Sequence, residues 1–261
     1  MGVQTGIEWC DATWNPWVGC TKVSEGCDNC YMFREQKRWG NDPTIIRQTK
    51  GAKRDLPIRK NRDGTWKISP GSFVFVCSWS DFFHEDVPAA WRNDAVRNMI
   101  QRPDLTFLLL TKRVDRMARW AKALQDEHAY DYSHIWFGAT AENQARADKR
   151  IRELIEIDWP GKKFVSIEPQ LGPVRLKRNL PRWLKPGVRI FSERIVGVQK
   201  IDWVICGGES GPGHRPFDLD WARSLRDQCV EAGVPFFLKQ YSAIHPKHMP
   251  ELDGQTWAQK P

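Results

Sequence analysis

Cys20, Cys27 and Cys30 fall within one short stretch in the order C-x6-C-x2-C, and their thiolates are the groups best suited to hold a metal. Three thiolates on one loop can hold three irons of a 4Fe-4S cluster and leave the fourth iron open to an exogenous ligand. A structural zinc site normally takes four ligands, in C-x2-C pairs or in two-Cys, two-His sets. Here there is a single C-x2-C, and no histidine lies nearer than His84. Cys10 stands close enough in sequence to supply a fourth thiolate, which keeps a zinc staple open as the alternative. In a reducing compartment, a crowded group drawn from an odd total of 7 Cys reads as metal binding and not as a disulfide framework. Cys77, Cys206 and Cys229 lie in apolar patterns and read as core residues.

A second set of chemically capable residues follows short apolar runs. It comprises Ser80 and Asp81, Thr111 and Lys112, Thr140 and Glu142, Glu168, Gly207-Gly208-Glu209-Ser210, and Lys239 with Gln240. The runs themselves, at 73–78, 106–111, 135–140, 163–168, 202–206 and 235–239, are nearly continuous in apolar character. That is the pattern of strands covered on both faces. Between them lie helical periods. Trp91, Ala95 and Met99 share a stripe in 89–101, Ala147, Ile151, Leu154 and Ile155 in 142–157, and Trp221, Leu225 and Cys229 in 218–232. Gly233 stands where a C-terminal cap would.

With a short strand at 13–17, the alternation gives about seven β/α steps and predicts parallel strands joined by right-handed crossovers. The expected class is α/β, a complete or partial (β/α) barrel over a single domain, 1–261. No G-x-G-x-x-G follows an early strand, which argues against a dinucleotide domain. In barrels chemistry collects at the C-terminal ends of strands, and the polar set falls at those ends. Lys112, closing a very apolar strand, calls for an anionic partner. The adjacent Gly207 and Gly208 permit close backbone approach to a ligand. Two basic excursions interrupt the alternation, at about 34–67 and 177–200; the first carries 11 basic residues against 4 acidic ones.

Net charge is +8 and there are 14 Trp, a combination suited to an anionic, stackable partner such as DNA or RNA. The plainer reading is that the indoles pack the core and the lysines solubilise the surface. No apolar run approaches the roughly 20 residues that span a bilayer, so no membrane partner is expected. The first residues lack a secretory signal, and the expected location is the cytoplasm.

Asn15-Pro16-Trp17-Val18-Gly19-Cys20, followed by Cys27-x2-Cys30-Tyr31, resembles the opening of the spore photoproduct lyase-like branch of the radical S-adenosylmethionine (SAM) superfamily. That branch runs from Asn-Pro-aromatic-x-Gly-Cys into C-x3-C-x2-C, three residues shorter between the first two cysteines. Over almost the whole chain the sequence resembles still more closely an uncharacterised phage-associated family of three-cysteine proteins. Its motifs here include Gly19-Cys20-Thr21-Lys22-Val23-Ser24, Leu110-Thr111-Lys112-Arg113, Glu168-Pro169-Gln170-Leu171-Gly172-Pro173 and Gly207-Gly208-Glu209-Ser210-Gly211-Pro212.

The resemblance implies a radical SAM barrel. A 4Fe-4S cluster on Cys20, Cys27 and Cys30 would bind SAM at its open iron. One electron, from a donor such as flavodoxin or ferredoxin, would cleave SAM to methionine and a 5′-deoxyadenosyl radical. Site roles follow as expectations. Ser80 and Asp81 would hold the methionine amino group, although Asp81 also stands where it could cap a turn. Thr111 and Lys112 would take the methionine carboxylate or a substrate phosphate. Tyr31 would pack on the cluster or adenine, or simply begin the next helix. Glu168 would meet ribose or substrate. Gly207, Gly208, Glu209 and Ser210 would meet adenine, with Glu209 as polar anchor. His84, Glu85, His214 and Gln240 rank second. Likeness to a DNA-repair branch favours a nucleic acid or nucleotide substrate, in repair or modification. Two alternatives stand: a non-catalytic nucleic-acid-binding module stapled by zinc or an Fe-S cluster, and a radical SAM enzyme on a small molecule or a protein, served by a partner protein.

Overall fold

Each apolar run becomes a strand whose alternate residues enter two different cores. A computed structural model of the chain describes residues 5–126, 130–176 and 201–261. Its main strands are β1 (Ala12–Trp14), β4 (Phe73–Val76), β5 (Thr106–Thr111), β6 (Ile135–Thr140), β7 (Lys163–Ile167), β8 (Trp203–Gly207) and β9 (Phe236–Gln240). They form one sheet in the order β1-β4-β5-β6-β7-β8-β9, every neighbouring pair parallel. The other strands are short. β2 (Trp17–Val18) pairs antiparallel with β3 (Arg47–Gln48), and β10 (Glu251–Leu252) with β11 (Gln255–Thr256). The helices are α1 (Tyr31–Arg38), α2 (Ala89–Ile100), α3 (Val114–Asp126), α4 (Gln144–Glu156) and α5 (Leu219–Ala232).

Outward-facing residues such as Val74, Phe107, Leu109, Phe137, Val165 and Leu238 pack under the helices in the larger core. Inward-facing residues form a second, aromatic core that holds Phe75, Leu108, Trp136, Phe164, Trp203 and Phe237 around Trp9. The Trp9 ring lies 4.6 Å from Phe75, 6.4 Å from Phe164 and 6.2 Å from Trp203. One indole touches β4, β7 and β8 because the sheet curls around it. Gly138 leaves room on this inner face: a Cβ there would stand 2.3 Å from the Phe164 ring. The barrel is partial, with β1 and β9 at its two edges. The C-terminal segment covers β9, where the Leu238 amide donates to the Trp257 carbonyl at 2.8 Å.

Two expectations are corrected and one helix is added. The strand expected at 13–17 breaks at Asn15 and Pro16, so β1 ends at Trp14 and residues 17–18 turn away to pair with the basic excursion. Helix α3 has no counterpart in the sequence reading, although Val114, Met117 and Ala121 form a buried stripe along it. Helix α4 starts at Gln144, because Asn143 caps it by accepting the Arg146 amide at 3.0 Å. At the end of α5, Gly233 takes φ 67°, the left-handed cap anticipated for it. The excursion at 34–67 is built into the fold: Trp14 Nε1 donates to the Arg54 carbonyl at 2.8 Å, and Pro57 is buried. The excursion at 177–200 lies outside the described residues. Among the described residues, no helix is long and apolar enough to cross a membrane.

Candidate functional site

The inner face changes character along the strands. Its lower part is aromatic; toward the C-terminal ends Thr13, Thr140, Ser166 and Lys239 replace the rings and open into a cavity of about 660 Å³. Cys20, Cys27 and Cys30 all line this cavity. Cys20 is placed by backbone bonds on both sides. Gly19 donates to the Trp79 carbonyl at 3.0 Å and Cys20 to the Pro43 carbonyl at 2.8 Å. Gly19, at φ 102°, is required here, since a Cβ would stand 2.3 Å from the Ile45 carbonyl oxygen. Cys27 closes a short 3₁₀ turn and Cys30 is the N-cap of α1. Cys77, just beyond β4, adopts φ 64°, a strained value for a residue with a Cβ. It belongs to the core as expected, and it also borders the cavity.

Two cations stand among the thiols. Arg113, buried, places Nη1 3.8 Å from Cys20 Sγ and 3.2 Å from Asp81, Nε 2.9 Å from Glu85, and Nη2 2.8 Å from Thr21 Oγ1. Lys112 is half-buried in the cavity wall and makes no direct hydrogen bond or ion pair among the described residues. Burial opposes its charge, but the neighbouring Cys27, Cys30 and Glu142 outweigh that and hold it above the ordinary lysine value. Burial pushes the Cys20 thiol up to about 12, with Asp81 adding to the effect against Arg113. It also raises Cys30, against the pull of Lys112. Such thiols ionise only beside added positive charge.

The loop carrying Cys27 and Cys30 is clamped from the far side of the chain. Asn29 Nδ2 donates to Glu209 at 2.9 Å and to the Gly213 carbonyl at 2.8 Å. Glu209 accepts the Arg215 amide at 2.7 Å and pairs with the Arg215 guanidinium, which donates to the Glu25 carbonyl at 2.8 Å. Burial alone would raise the Glu209 carboxyl, yet Arg215 and Asn29 hold it below its ordinary value. Glu25 is fixed by Arg146 at 2.9 Å and by Asn143; the Arg146 bond leads in lowering its pKa to about 2. Behind Gly26 lies Glu142, fully buried, with Oε2 2.7 Å from Arg150 and Oε1 without a hydrogen-bond partner among the described residues.

The remaining expected residues fall as follows. Tyr31 begins α1 and lines the cavity, its hydroxyl donating to the Ser78 carbonyl. Ser80 lines the cavity with its hydroxyl on the Gly19 carbonyl at 2.6 Å, so it braces the Cys20 loop. Asp81 and Thr111 also line it and bind each other, Thr111 Oγ1 lying 2.8 Å from both carboxylate oxygens. Glu168 pairs with Lys239. Gly208, Glu209 and Ser210 border the cavity; Gly207 is not among its lining residues. A Cβ on Gly208 would stand 2.4 Å from the Ser242 amide nitrogen, so that glycine is required by chain packing. Gln240 holds the Gly208 carbonyl at 2.8 Å. His84 is buried against Thr21 at 2.8 Å, Glu85 pairs with Arg113, and His214 holds the Gly211 carbonyl at 3.1 Å. Cys10 is buried beside Trp9 and donates to the Ile7 carbonyl at 3.5 Å, outside the cavity lining.

Arg113, Asn29 and Arg215 are site residues that the sequence reading passed over, whereas Lys239, read there as part of a polar strand end, proves to be the partner of Glu168. Arg113 carried a signal, as a second cation straight after Lys112 at the end of an apolar strand. Among the described residues, no group of three His, Cys, Asp or Glu side chains is gathered so as to hold a metal ion. Comparison with curated proteins and with solved structures finds no match. A family model described as "Protein of unknown function (DUF5131)" matches residues 4–261, and the chain belongs to that family.

Proposed function

We propose that the protein is a radical SAM enzyme, with a 4Fe-4S cluster held by Cys20, Cys27 and Cys30 and SAM in the adjoining cavity. The observation that carries this reading is that all three thiols line one cavity of about 660 Å³ at the C-terminal ends of the strands. The donor set suits the group. In tetrahedral zinc the sulfurs stand only about 3.8 Å apart, from a Zn–S length of about 2.3 Å. Three thiols disposed around a cavity suit a cube whose ligated irons occupy separate corners. Burial keeps the Cys20 and Cys30 thiols protonated without a cation, and the orphaned Oε1 of Glu142 and the unpaired Lys112 border the same loop.

When bound and reduced by an external donor, the cluster would supply the one electron needed to cleave the sulfonium C–S bond of SAM, and with it radical hydrogen-abstraction chemistry. The chain's own residues do the rest. Lys112, the cavity cation without a direct partner, takes the carboxylate of methionine. Arg113 lends positive charge to Cys20 and, through Asp81 and Thr111, fixes the strand ends beside it. Glu209 and Arg215 hold the loop of Cys27 and Cys30 in register. The aromatic core under the cavity closes its floor to water.

The test is anaerobic reconstitution, reduction with dithionite, addition of SAM and assay for 5′-deoxyadenosine. Production that is lost in Cys20→Ala, Cys27→Ala and Cys30→Ala is the expected result. No SAM binding by iron-loaded protein would sink the proposal.

A further inference from the structure

The mouth of the cavity carries an aromatic stack open to solvent. Trp39, at the end of α1, is 58% exposed. Its ring lies 5.0 Å from that of Trp79 at 21°, a stacked pair, and Tyr31 meets Trp79 edge-on at 5.8 Å. Tyr31 and Trp79 line the cavity, so the stack runs from its wall to an uncovered indole face. A solvent-facing indole supported by a second indole contributes little to folding; its free face suits another flat ring.

Positive charge adjoins this stack. Lys37 and Arg38 directly precede Trp39 and are exposed, as are Lys50 and Lys53 further along. The ion pairs within the segment among the described residues use Arg34 with Glu35 and Arg54 with Asp55, leaving these four cations unpaired there. The segment also borders the cysteine loop, through Pro43 on Cys20, Ile45 against Gly19 and β3 on β2.

We propose that this surface binds single-stranded nucleic acid, with one base stacked on Trp39 and the flanking phosphates on Lys37 and Arg38. Stacking on an exposed ring needs a base already out of a duplex, which selects a single strand or an extruded nucleotide. Charge complementarity favours a polyanion, and the indole favours one that carries bases. The inference names the substrate class of the site proposed above and rests on that reading for its chemistry alone, because binding can be measured without SAM.

The experiment is fluorescence anisotropy with labelled dT15 and U15 on full-length, anaerobically reconstituted protein between 25 and 300 mM KCl, with iron counted in each sample. Trp39→Ala is expected to weaken binding about 5- to 150-fold, the effect of losing one stacked base, with little change in salt slope. The double variant Lys37→Ala with Arg38→Ala should lower the slope of log K against log salt by about 1.4, for two single-strand phosphate contacts. Both side chains and Trp39 are exposed, so folding is preserved and is checked by iron content. No binding at 25 mM KCl overturns the proposal. So does binding that ignores Trp39, which would mark a nonspecific polyanion patch. Oligonucleotide binding by protein that fails to bind SAM would support this inference and remove the cofactor reading.

Discussion

Replacing Glu209 by alanine removes the clamp on the cysteine loop and leaves the thiols themselves untouched. The carboxylate is 7% exposed and accepts three separate donors: the Asn29 amide, the Arg215 backbone amide and the Arg215 guanidinium. All three end on one ionised carboxylate; such bonds contribute about 1.5–3 kcal/mol singly and add less than fully when they share an acceptor group. Arg215 is about a third exposed and keeps the Glu25 carbonyl, so the charged contribution belongs at the low end. The expected loss is about 3 kcal/mol, felt by residues 25–30, which is too little to unfold a domain of ordinary stability. Amide hydrogen exchange reads it directly. Opening of 25–30 should become about 100-fold easier, α5 should exchange as before, and iron retained after reconstitution should fall. Glu209→Gln keeps an acceptor for Asn29 and should fall between. Unchanged exchange at 25–30 with full iron in Glu209→Ala would refute the clamp.

Three further outcomes follow from the same geometry. Cys10→Ala should retain full iron, because Cys10 is buried behind Trp9 and is not among the residues that line the cavity; metal release from this variant would restore the four-ligand staple. Gly138→Ala forces a Cβ to 2.3 Å from the Phe164 ring and should destabilise by about 1–3 kcal/mol in thermal melts, whereas an unchanged midpoint would argue against the aromatic inner core. Burial lowers Lys163 to about 8, so between pH 8 and its unfolded value the unfolded chain holds the extra proton and stability rises with pH. Urea titrations should register a gain of about 2 kcal/mol from pH 8 to 9.5, absent in Lys163→Met; a flat profile in the parent protein would contradict the burial.

The sheet was legible because both faces of each strand are buried, which writes near-continuous apolar runs at 106–111 and 135–140. Helix α3 was not, since Val114, Met117 and Ala121 are spaced among charged residues directly after Lys112 and Arg113. The break after β1 depended on Asn15 binding Ser78 and Trp79, a contact more than sixty positions away. The cysteine group and the polar strand ends could be read as local chemistry. The roles of Ser80, Asp81 and Glu209 could not. Their side chains are taken up by Gly19, by Thr111 and Arg113, and by Asn29 and Arg215, partners brought near only by the curl of the sheet. The same holds for Glu168, just past β7, whose carboxylate meets Lys239 of β9 over the intervening β8.

The proposed chemistry stands on a four-iron cluster with one site open to SAM. Its most direct test is electron paramagnetic resonance of the reconstituted, reduced protein, with and without SAM, alongside iron and sulfide counts. About four irons per chain, a reduced-cluster signal that changes shape when SAM is added, and loss of both in Cys27→Ala are the expected results. Zinc in place of iron, or a cluster signal indifferent to SAM, would contradict it.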